Sequence, residues 1–149
     1  MKRIDREGKL IQSWDGNSCA IHALMNCMGI SFSESWHLAE LSGRIPGEGT
    51  YSSKLIEVVN RSYNREVLMR VPERDIWYYQ SLVNFIKEHP VGRFYLRLNG
   101  HAIALVNGEV LDTTTLWRQP NAKVRDAWVL KESWVGNSKK VYSTKVEEF

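Results

Sequence analysis

Two strand-like segments, His101-Ala102-Ile103-Ala104-Leu105-Val106 and Glu109-Val110-Leu111-Asp112-Thr113, are separated by Asn107-Gly108. Nothing else in the chain limits the fold so strongly. Asn-Gly suits a two-residue type I′ turn because both central residues must take positive φ. The dipeptide therefore predicts an antiparallel hairpin with position 106 opposite 109, 103 opposite 112 and 101 opposite 114. In that register His101 and Asp112 project from one face of the sheet as diagonal neighbours, about 7–8 Å apart at the backbone. A loop longer by one residue would send them to opposite faces.

The same half of the chain holds further strand-like segments, Phe94–Leu98, Ala127–Leu130 and Val141–Ser143. The preceding half has helical period. Ala20, Ala23, Leu24, Cys27 and Met28 form a 3,4-spaced stripe after Asn17, a good N-cap, and Gly29 closes the helix. Ser31 and Glu34 have capping-box spacing and open a second helix, with Trp36, Ala39 and Leu41 as its apolar residues and Gly43 as its stop. The turn-rich segment RIPGEGT leads to a third helix over Ser52–Val59 that buries Leu55, Ile56 and Val59. A short strand follows over Val67–Val71, then a helix introduced by Pro72 and Asp75 and ending near His89 and Pro90. Helices first and antiparallel strands afterwards predict an α+β domain, with the helices packed on a C-terminal antiparallel sheet.

Length and composition set the outer bounds. The 149 residues, 43% hydrophobic and 25% charged, fit one domain over 1–149 with a real core. Six Trp and six Tyr go by default to packing. The net charge of +3 is scattered, and its densest pair, Lys139-Lys140, is too short for a nucleic-acid stripe, which argues against a nucleic-acid partner. No apolar run approaches the roughly 20 residues of a membrane span. The start, MKRIDREGKLIQSW, lacks the apolar region of a signal peptide, so the expectation is a cytoplasmic protein. Cys19 and Cys27 on one helix would lie about 12 Å apart along its axis, too far for a disulfide.

Chemistry concentrates at Cys19. Behind an N-cap at Asn17 it falls at the second helical position, where free N–H groups and the helix dipole favour a thiolate. Gly16, Ser18 and Ala20 leave the sulfur approachable. The competing reading is a small buried hydrophobe. His101 is the available base, and Asp112 would hold its tautomer and stabilise its charged form. Each has a plain alternative, a strand-end histidine bonded locally and a turn carboxylate. Acyl transfer also needs an oxyanion donor. The Cys19 backbone N–H is one candidate, and Gln12 and Asn17 are the upstream amides. Trp14, His22, Trp36 and Tyr51 are candidates for the walls of a substrate groove, His22 alternatively being structural. Two Cys and four His do not suggest a four-ligand zinc site, and no cofactor is expected.

The block NSCAIHALMN resembles the Cys box of papain-like cysteine peptidases, above all the Josephin deubiquitinases with their Cys-x-x-His, aliphatic run and Asn. DGNSC is similar to the Asp-Gly-Asn-Cys of ovarian-tumour-type proteases, with Ser18 inserted. GHAIALVNGEVLDT resembles the His strand and following Asp/Asn strand of the same superfamily. Both blocks are also similar to small phage-borne and bacterial proteins, for which a host cytoplasm would be the setting. The resemblance covers about residues 12–60 and 93–115 and keeps the order Cys, His, Asp. It implies a papain-like fold, a peptide or protein substrate, and Cys19, His101 and Asp112 as nucleophile, base and orienting acid. The family's oxyanion glutamine stands five or six residues before the Cys, whereas Gln12 stands seven before. The resulting expectation is a thiol hydrolase working through an acyl-enzyme. Its alternatives are an acyltransferase or deamidase with the same triad, and a catalytically silent binding module.

Overall fold

A computed structural model describes residues 3–4 and 10–11 (backbone), 18–44, 51–72, 80–112 and 122–131. Over these the chain is α+β, with four helices and a five-stranded antiparallel sheet. The elements are β1 (Arg3–Ile4), β2 (Leu10–Ile11), α1 (Cys19–Met28), α2 (Phe32–Leu41), α3 (Ser52–Ser62) and β3 (Leu68–Arg70). They continue with α4 (Leu82–Glu88), β4 (Arg93–Leu98), β5 (His101–Val106), β6 (Glu109–Leu111) and β7 (Asp126–Leu130). β1 and β2 pair as a separate ribbon, which the sequence patterns do not announce.

The hairpin forms in the expected register, Val106↔Glu109, Leu105↔Val110 and Ala104↔Leu111. Its turn has φ of 48° at Asn107 and 82° at Gly108, the double positive φ of a type I′ turn. A second two-residue turn, Asn99-Gly100, joins β4 to β5 with Leu98 opposite His101. β7 inserts between β3 and β4, giving the order β3-β7-β4-β5-β6.

Alternation along the strands feeds two cores. Tyr95, Ala102, Ala104, Val106, Trp128 and Leu130 face α1, α2 and α3. Phe94, Leu96, Ile103, Leu105, Val110 and Ala127 face the other way, onto Leu82 and Phe85 of α4. α1 packs across β5 and β4 on one side and α2 on the other. Hence Ala20 through Met28 are all buried, and the expected single stripe is only part of its buried surface. Gly29 ends it at φ 71°, its N–H donating to the Met25 carbonyl at 2.8 Å. The capping interaction at Ser31 also forms, its hydroxyl accepting from the Glu34 N–H at 3.1 Å.

α2 buries Ser35, Leu38 and Ala39 and leaves Leu41 56% exposed. Three expectations are corrected. The N-cap of α1 is Ser18, and Cys19 is the first helical residue instead of the second. α3 runs three residues beyond Val59, to Ser62. The helix expected from Pro72 and Asp75 begins only at its cap Ser81, whose hydroxyl accepts from the Asn84 N–H. There the chain is tied instead to the approach to β7, through Leu82 N–H to the Ala122 carbonyl and Val124 N–H to the Gln80 carbonyl. The strand expected over 141–143 lies outside the described residues.

Candidate active site

Helix α1 delivers Cys19 to the end of the sheet where β5 starts. Its register on the sheet is set by small residues, since Ala102 and Ala104 let the helix backbone approach β5 closely. The first intrahelical bond runs from the His22 N–H to the Ser18 carbonyl at 3.1 Å, so the Cys19 N–H precedes the helical ladder. Cys19 is partly accessible and free, whereas Cys27 is fully buried.

His101, the first residue of β5, holds the Asp112 carboxylate through Nε2, 2.7 Å from Oδ1. Asp112 stands one residue past the end of β6, and its side chain is 1% exposed. The diagonal placement expected from a two-residue turn thus becomes a direct hydrogen bond. With Nε2 engaged by Asp112, Nδ1 is the ring nitrogen left for the thiol, which hydrogen-bonds the same imidazole.

A further donor is the Ala102 backbone N–H, directed at the Cys19 sulfur. Pairing of β5 with β6 ends at Ala104↔Leu111, so Ala102 lies beyond the ladder with its N–H turned to that side. No residue type marks such a donor, and only the register locates it.

Electrostatics follow from these contacts. Burial would push the Cys19 thiol up, but the hydrogen bonds from His101 and Ala102, with the charge of His101, outweigh it and hold the thiol below its ordinary value. Burial disfavours a charged His101, yet the hydrogen bonds to Asp112 and Cys19 and their negative charge raise it to about 9. Both shifts favour the thiolate–imidazolium form of the pair over the neutral one. Cys27, with burial dominating, is pushed up to about 12 and stays a thiol.

The remaining candidates divide. His22 is 1% exposed and packs against Phe32 at 5.1 Å between ring centroids. It belongs to the core, so the expectation that it lines a groove is corrected, because burial between α1 and α2 denies it to a substrate. Trp36 is half-buried under the Arg44 guanidinium. Tyr51 is 77% exposed, beside Lys54 at the start of α3. Gln12, Trp14 and Asn17 lie outside the described residues. A buried pair that the sequence did not suggest lies between α3 and the sheet, where the Ser52 and Tyr95 hydroxyls meet at 2.8 Å.

Among the described residues no three His, Cys, Asp or Glu side chains converge to hold a metal ion, and no helix is long and apolar enough to cross a membrane. No family model, curated protein or solved structure matches the chain.

Proposed function

We propose that the protein is a papain-like cysteine hydrolase that cleaves a peptide, isopeptide or related amide bond through Cys19, His101 and Asp112. One observation carries the reading: a single imidazole is held at 2.7 Å by a buried carboxylate while it hydrogen-bonds a partly exposed thiol at the start of a helix.

In this reading the Cys19 thiolate attacks the carbonyl carbon, forming the C–S bond while the charge moves to the carbonyl oxygen. The Cys19 N–H, not engaged in the helical ladder, is a donor for that oxyanion. The His101 imidazolium gives its proton to the amide nitrogen as the C–N bond breaks, and an amine leaves. Neutral His101 then takes a proton from water, whose oxygen attacks the thioester. Collapse releases a carboxylic acid and restores the thiolate–imidazolium pair. Asp112 orients the ring and stabilises its charge throughout.

Iodoacetamide labelling followed by mass spectrometry tests this assignment without a known substrate. The expected result is selective modification of Cys19 at pH 6–7, with Cys27 untouched. His101→Ala should lower the Cys19 rate at pH 7 by at least about tenfold, since the thiol loses the partner that offsets its burial. Equal labelling of both cysteines, or of neither, would sink the assignment.

A further inference from the structure

The helix-facing side of the sheet carries a polar row that leads to Cys19. Asp126 of β7 pairs with Arg97 of β4, and Arg97 pairs with Ala102 of β5, the residue whose N–H meets the sulfur. All three project to the face that carries Trp128, Tyr95 and Ala104 one row further in, where the helices cover the sheet. The inner row is apolar and buried; in the outer row Ala102 is still buried against the helices, whereas the Arg97 side chain is 40% exposed, so the helical cover thins along that row from β5 to β4.

Charge along the outer row is unbalanced. Asp126 receives Arg97 Nε at 2.6 Å and Arg70 Nη2 from β3 at 2.5 Å, two cations on one carboxylate. The Arg97 side chain makes no other hydrogen bond among the described residues, and it is 40% exposed. Its guanidinium is thus fixed through Nε while both terminal nitrogens stay available, the arrangement that binds a carboxylate through two parallel N–H bonds. Across the row, Ser52 places the first turn of α3 over Tyr95, and that turn has no acidic residue.

We propose that Arg97 is a specificity-determining residue, which binds a carboxylate of the substrate two or three residues from the scissile bond. The inference rests on Cys19 being the nucleophile. Neighbouring strands lie about 4.8 Å apart, so a group bound over Arg97 toward β7 is roughly 5–10 Å from Ala102. An extended chain covers that in two or three residues at about 3.3–3.6 Å each. The favoured substrate is an acidic peptide segment crossing the end of the sheet. Asp126 is the positioning residue that aims the guanidinium, and Arg70 offsets its charge.

Two series of thiol-directed peptides test this on the intact protein. Peptidyl chloromethyl ketones extend to the acyl side and chloroacetyl-capped peptides to the other. In both, Cys19 sulfur displaces chloride. Each series carries Glu or Gln in turn at the second and third positions from the reacting carbon. At one position the Glu probe should alkylate Cys19 about tenfold faster than its Gln counterpart, as a charge-assisted bidentate contact predicts. That ratio should fall with added salt and approach one in Arg97→Gln. In Arg97→Glu a Lys probe should become the faster one. Equal Glu and Gln rates at every position of both series in the unaltered protein, with iodoacetamide still labelling Cys19, would overturn the role of Arg97 alone. Failure of iodoacetamide to label Cys19 would instead remove the nucleophile on which the inference stands.

Discussion

His101 serves two partners with one ring, and that sharing has a pH signature. The folded protein raises it to about 9 and lowers the Cys19 thiol, so the ion pair occupies the interval between the two. Below that interval the sulfur is protonated and unreactive. Above about 9 the ring loses its proton, and the thiolate loses its charged hydrogen-bond donor and becomes a stronger nucleophile. The rate of iodoacetamide alkylation against pH should therefore rise in two steps, the upper one near 9; these are properties of the coupled pair. Asp112→Asn removes the negative charge that helps raise His101, so the upper step should move to lower pH. His101→Ala should leave one step, shifted upward. A single step in the unaltered protein would show that sulfur and ring do not titrate together. The pairing of His101 with Asp112 was legible in the sequence because Asn107-Gly108 sets the register within a dozen residues. The Ala102 N–H was not legible, since a backbone donor leaves no mark in the residue types.

Asn60 shows how a single side chain completes an element. β3 is an edge strand, and the Asn60 amide lies along its open side. Its Oδ1 accepts from the Val67 and Leu68 N–H groups at 2.8 and 3.0 Å, and its Nδ2 donates to the Leu68 carbonyl at 3.0 Å. The amide thus stands in for a missing strand and blocks edge-to-edge pairing. Asn60→Ala should cost about 1–3 kcal/mol in urea unfolding, because the exposed backbone groups regain water only in part. Asn60→Asp keeps the acceptor and loses the donor, and should fall between the two. Local signals of this kind governed what the sequence revealed. Ser31 and Gly29 announced their helix ends, and the β4–β5–β6 strands were visible from alternation and turns. The start of α4 is not legible in the sequence, because Pro72 and Asp75 are general turn residues, whereas Ser81 is fixed by a distant partner, the chain before β7. The place of β7 between β3 and β4, and with it the Arg97–Asp126 row, depends on non-local pairing that no short pattern encodes.

Across the whole molecule, the chemistry depends on how closely one helix lies on one strand. Ala104 is fully buried between β5 and α1. Ala104→Leu should destabilise by about 1–3 kcal/mol through overpacking and lift α1 off the sheet. The accompanying outcome is functional: Cys19 alkylation at pH 6–7 should slow toward that of an ordinary thiol while the secondary structure stays native by circular dichroism. Unchanged alkylation in that variant would mean that the helix N-terminus is positioned by something other than its seat on β5. The same architecture bears on synthesis. Cys19 leaves the ribosome long before His101 and Asp112, and neither the Nε2 contact nor the Ala102 donor exists until the hairpin has been made and docked under α1. A nascent or truncated chain therefore carries an ordinary thiol, and reactivity switches on only with the last strands of the sheet.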